Sequence, residues 1–101
     1  MATHVHLELH ASEELVKALD FAPQLLAGDT LTNGTVTHIP PSGLPVSITP
    51  SVVGGLLYVP LPTGLVVGSH KFVCIAVTSN VNNSPIIILN VTVPGIQFSF
   101  D

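Results

Sequence analysis

The chain has 101 residues, enough for one domain with a thin core. Only 8% of it is charged, and its two basic residues, Lys17 and Lys71, leave a net charge of −4. Two lysines cannot replace the counterions along a phosphate backbone or grip an acidic bilayer, so nucleic acid and anionic membrane are excluded as partners.

His4-Val5-His6-Leu7-Glu8-Leu9-His10 alternates strictly, with Val5, Leu7 and Leu9 on one face. That is the pattern of a half-buried strand. The stretch from Ser12 to Leu26 reads two ways. Ser12-Glu13-Glu14 before Leu15, Val16 and Leu19 resembles a capped helix start. The alternation from Leu15 to Phe21 equally permits a strand, with Leu15, Leu19 and Phe21 inward and Lys17 at the edge. Pro23 allows a short helical turn to begin near it, and Gly28-Asp29 marks a turn.

Thr30 to Ile39 reads as a Thr-rich strand with a kink, bulge or tight turn at Asn33-Gly34. Pro40-Pro41-Ser42-Gly43 is a loop, Val46 to Thr49 a short strand ended by Pro50, and Gly54-Gly55 a turn. Leu56 to Leu61 is a strand that Pro60 assigns to a sheet edge. Ser69 to Thr78 is the clearest strand, and Asn80 to Ser84 is a hairpin loop. Ile86 to Val93 is the last long strand, stopped by Pro94-Gly95. Ile96-Gln97-Phe98-Ser99-Phe100 is a terminal alternating segment. About seven short strands split by turn signals indicate an all-β sandwich or small barrel. The expected division is an N-terminal strand or arm over 1–11, a domain over 12–94 and a tail over 95–101.

Cys74 is the single cysteine, which leaves no internal disulfide and no Cys-based zinc site. Within Phe72-Val73-Cys74-Ile75-Ala76 it reads as a small buried hydrophobe. Met1 to His10 has neither the basic start nor the apolar stretch of a signal peptide, and no apolar run reaches the ~18 residues that span a bilayer. The expectation is synthesis in a cytoplasm.

His4 and His6 are the only residues that resemble a metal site, since alternate residues of a strand share a face and Glu8 or His10 stands nearby. The same spacing also arises on any exposed polar strand face, and no metal is expected. Asp20 and Asp29 bracket a turn and read as turn residues. No nucleophile elbow, phosphate-cradling loop or His-Glu-x-x-His is present. The expectation is a non-enzyme with no cofactor and no catalytic residues.

In Phe72 to Val77 and in Ile86 to Leu89 both faces of the strand are apolar. A two-sheet sandwich buries one face of each sheet, so the second face needs a cover. A neighbouring subunit or the chain's own first segment would supply it. With charge at 8% of the chain, against roughly 25% in an average soluble domain, this points to a docked or multimeric protein. The residues expected at such an interface are Ile86 and Ile88 on the second face, Val5, Leu7 and Leu9 in the first segment, and Ile96, Phe98 and Phe100 in the last.

Three stretches carry a family likeness. They are Glu13 to Phe21 followed by Leu25-Leu26-Ala27-Gly28-Asp29-Thr30-Leu31 and Thr35-Val36-Thr37; Gly43-Leu44 to Ile48; and Gly68-Ser69-His70-Lys71-Phe72 with Thr78-Ser79. Over about residues 12 to 93 the chain resembles phage fiber-tail adaptor-type virion proteins with an immunoglobulin-like fold. The resemblance favours a strand for Leu15 to Phe21. It implies a bacteriophage virion component, made in the host cytoplasm, that joins a fibre or appendage to the particle in several symmetric copies. Its partners would be other virion proteins and copies of itself. The alternatives are a capsid cement or decoration protein and a carbohydrate- or protein-binding accessory domain. A sugar site usually offers exposed aromatics, whereas this chain has no Trp and only Tyr58, Phe21, Phe72, Phe98 and Phe100.

Overall fold

Alternation sets the architecture. Along Gly68–Thr78, His70, Phe72, Cys74, Ala76 and Thr78 are buried while Ser69, Lys71 and Val77 face solvent. Along Ile86–Val93, Ile87, Leu89, Val91 and Val93 are buried in the same phase. In this computed structural model, residues 2–8, 15–62, 65–80 and 83–94 are described. They form β1 (Ala2–Glu8), β2 (Leu15–Asp20), β3 (Leu31–Ile39), β4 (Val46–Ile48), β5 (Ser51–Val53), β6 (Leu56–Leu61), β7 (Gly68–Thr78) and β8 (Ile86–Val93), with one 3-10 turn at Ala22–Gln24.

The strands make two sheets. The larger runs β1-β8-β7-β3-β4 and the smaller β2-β6-β5. All neighbours are antiparallel except β1, which lies parallel to β8 in a register from Ala2↔Ile86 to Glu8↔Thr92. Between the sheets lies a core that includes Phe21, Leu57, Val59, Phe72, Cys74, Leu89 and Val91, all fully enclosed. Phe21 and Phe72 therefore take the core places their patterns indicated, and the fold is an all-β two-sheet sandwich. The described residues contain eight strands where about seven were expected.

Leu15–Asp20 is a strand. It pairs with β6 in the register Leu19↔Leu57, which places Leu19 and then Phe21 in one inward phase. Asp20 Oδ1 accepts a hydrogen bond from the Ala22 amide (2.9 Å), starting the 3-10 turn that Pro23 favours. Glu13 and Glu14 lie outside the described residues.

Two expectations need correction. Pro60 does not mark an edge strand: β6 is the central strand of its sheet. β5, however, pairs only with Leu56 to Tyr58. At Pro60 the strand has a neighbour on the β2 side alone, and on its open side a missing amide costs no ladder bond. The second correction is β5 itself, which fills the short interval between Pro50 and Gly54. Gly54 and Gly55 have φ of +60° and +80°, the two left-handed positions that a tight β5–β6 hairpin turn requires.

β3 carries a bulge where its register against β7 shifts between Leu31 and Asn33, adjoining the Asn33-Gly34 site where a bulge or kink was expected. Gly34 is buried and stands against Leu57 of the opposite sheet; a Cβ there would lie 2.9 Å from both Leu57 methyls. The two sheets approach this closely because residue 34 has no side chain.

Candidate docking face

The outer side of the larger sheet is built by the second phase of β7 and β8. Val73 stands opposite Ile88 and Ile75 opposite Ile86. These two cross-strand apolar pairs are half-buried, and Val77 extends the strip with 43% exposure. Thr37 and Thr35 of β3 flank the pairs on one side in the same registers. On the other side β1 brings His4 beside Ile88 and His6 beside Asn90.

The smaller sheet covers the inner side of the larger one. The first segment does not lie across the outer side: β1 joins the sheet edge and hydrogen-bonds to β8. Of the two covers open at the sequence level, the chain's own residues 2–8 are thus eliminated. Val5 and Leu7 turn inward and pack against this chain's own core. Ile86 and Ile88 lie on the outer face as their pattern indicated. Leu9, Ile96, Phe98 and Phe100 lie outside the described residues. A partner that fully buried Val73, Ile75, Ile86 and Ile88 would gain at most ~1.5–3 kcal/mol for each.

The polar end of this face has its own geometry. Asn90 Nδ2 donates to His4 Nδ1 at 3.2 Å, fixing the His4 ring against β8. An open groove of about 460 Å³ beyond it is lined by His6, Ser69, Lys71, Asn90 and Thr92, among others. Among the described residues that line it, Lys71 carries the only fixed charge. His4 and His6 both point to this outer side, but among the described residues no three metal-capable side chains gather. Asp20 and Asp29 are separated in role: Asp20 holds the turn at Ala22, and Asp29 Oδ2 lies 3.5 Å from Asn83 Nδ2.

Cys74 is fully buried, and burial pushes its thiol up to about 12. It is a core residue, as its surroundings in the sequence indicated.

Sequence reasoning missed a second polar feature. His38 and His70 are buried on the inner side of the larger sheet, 8% and 1% exposed. His38 Nε2 and His70 Nδ1 are 2.8 Å apart, and His70 Nε2 is 2.7 Å from the Val66 carbonyl. A carbonyl only accepts, so His70 carries its hydrogen on Nε2, its Nδ1 accepts, and His38 donates from Nε2. The His38 ring stacks on Phe72 with centroids 4.4 Å apart and planes within 3°. Burial, and then the proximity of His70, hold the His38 pKa below its ordinary value. The available signal was phase: His38 alternates with Val36, and His70 with Phe72 and Cys74.

Comparison with protein families, with curated proteins and with solved structures finds no match for this chain.

Proposed function

We propose that this chain is a bacteriophage virion structural module of immunoglobulin-like fold. In this reading it joins a fibre or appendage to the particle as one of several symmetric copies, through the outer face of the larger sheet. It does so as a docking domain without catalysis.

The strand order supports the immunoglobulin-like part of the reading. Labelled in the manner of that fold, β2, β6 and β5 take the places of strands B, E and D. β8, β7 and β3 take those of G, F and C, with β4 as an added C′ strand. The sequence likeness to fiber-tail adaptor-type proteins supports the virion part.

The observation that carries docking is the apolar strip of Val73–Ile88 and Ile75–Ile86 on a sheet side that no other described element covers. The scarcity of charge agrees with it, because a free monomer would have little to keep that strip apart from its neighbours.

The test is the mass in solution of the parent and of a variant carrying Ile75→Lys and Ile88→Lys, measured by sedimentation, together with placement of the protein in the density of an intact particle. The reading expects a multimeric or particle-bound parent and a variant that keeps its β signal but no longer associates. A parent that is a compact monomer at high concentration and binds no particle component overturns it.

A further inference from the structure

At one end of the sandwich the β3–β4 and β6–β7 connections meet. Gly68, at φ +134°, lies so near Pro41 that a Cβ would stand 2.8 Å from its ring. This end is strongly apolar on its outside: Leu44 is 83% exposed, Val66 59%, Val67 57% and Val46 54%. Directly beneath it, the His38–His70 pair reaches the Val66 carbonyl. The connection bearing Val66 and Val67 is therefore tied to β3 through two imidazoles in series.

We propose that His38 and His70 form a proton-sensitive latch that ties the Leu65–Val67 connection to β3 and parts from β3 when both rings are protonated. The directions of the hydrogens make it so. In the neutral pair, His38 Nε2–H donates to His70 Nδ1 and His70 Nε2–H donates to Val66 O. With one proton added, the three hydrogens occupy His38 Nδ1, the link between the rings and His70 Nε2, and both bonds stay intact. A second proton can go only to His70 Nδ1, the acceptor of the link. All four ring nitrogens then carry hydrogen, two N–H groups face each other across 2.8 Å, and the contact opens. His70 keeps its bond to Val66, so the two move together, away from His38.

Among the described residues, little around the pair offsets positive charge. On β4 the residue opposite His38 is Val46, and on β8 the residue opposite His70 is Val91. Across the sandwich β6 presents Leu57, Val59 and Leu61, and β2 presents Leu19 and the half-buried Lys17, itself a cation. On β7 the next inward titratable group is Cys74, beyond Phe72, and Lys71 faces the other side of the sheet. Glu8, His4 and His6 of β1 face the outer side, and no titratable residue lies in Leu65–Val67. Phe72 offers His38 only the attraction of a ring face, not a counter-charge. Among the described residues, the pair thus senses acidification with no carboxylate beside it to hold the cation in place. The latch lies on the inner side of the sheet, apart from the docking face.

The test follows the methyl resonances of Val66, Val67 and Val77 and the imidazole nitrogens by NMR, from about pH 7.5 to about pH 5, where histidines change charge. In the parent, the Val66 and Val67 methyls should shift together with the rings, while Val77, at the far end of β7, stays unchanged. In His38→Gln the side-chain amide donates to His70 Nδ1, and its oxygen accepts from that atom once protonated, so the Val66 and Val67 shifts should be lost. Parent methyls that do not move with pH overturn the latch, as does a His38→Gln protein that moves like the parent. Should His38→Gln fail to fold, the parent decides alone: two rings that titrate independently near the ordinary value of ~6.5 overturn it.

Discussion

Gly34 of β3 and Leu57 of β6 meet across the sandwich at a distance that leaves no room for a Cβ: one built at residue 34 would stand 2.9 Å from both Leu57 methyls and 3.3 Å from the Ile75 carbonyl oxygen. Leu57 is fully buried and cannot swing away into solvent. Gly34→Val should therefore cost about 1–3 kcal/mol, the usual penalty for overpacking a close-fitted core. Chemical denaturation should show a lower midpoint with the slope unchanged. A variant as stable as the parent would mean the sheets separate at little cost.

Stability should depend on pH through His38. Its folded pKa is held below the unfolded value by burial and by His70. Below the ordinary histidine value of ~6.5 the unfolded chain takes up more protons than the folded one, so acid favours unfolding. Stability is full above that value and declines as the pH drops through it toward the lower folded value. Thermal melts at about pH 7.5 and about pH 5 should show the lower midpoint in acid, and His38→Gln should narrow the difference.

Cys74 should be unreactive in the native protein. It is fully enclosed, and its thiol is pushed up to about 12, so neither access nor thiolate is available near neutral pH. A chromogenic disulfide reagent should label it only as fast as the chain unfolds, and at once in denaturant. Rapid stoichiometric labelling without denaturant would contradict the packing of β7 against the smaller sheet.

Thr78 anchors the β7–β8 connection. Its single hydroxyl hydrogen is shared between the carbonyls of Asn80 (2.8 Å) and Asn83 (2.7 Å), and its oxygen accepts from the Asn80 amide. Thr78→Val keeps the shape and removes these bonds. Leaving the carbonyls without this donor should cost about 1–3 kcal/mol, seen as a lower unfolding midpoint. Hydrogen exchange should quicken at Asn80 and Asn83 before it does in β8.

Long strands were the legible part. Ile86–Val93 lies where its β-branched run and the Pro94-Gly95 stop placed it, and β7 begins one residue before Ser69. The outer strip was legible too, because only a doubly apolar strand places Val73 and Ile75 on one side and Phe72 and Cys74 on the other. β5 was not, since three residues between a proline and two glycines are too few to display a period. Pro60 misled because a proline reports a missing donor, whereas strand order depends on how far the neighbour extends. His38 and His70 went unnoticed as a pair because a polar side chain in an inward phase gives no sign of its partner, 32 residues away in sequence. The parallel seating of β1 on β8 is likewise a long-range pairing with no local mark.

That seating also orders events in time. Among the described strands β1 pairs with β8 alone, across a separation of about 80 residues, so closing the loop costs entropy that no local contact repays early. The first strand is thus among the last to be secured, after β7 and β8 have formed their hairpin. Until then β8 keeps an open ladder edge, competent to accept any extended chain of suitable alternation. A nascent chain at high local concentration, with its siblings being made nearby, runs its greatest risk of mispairing in that interval.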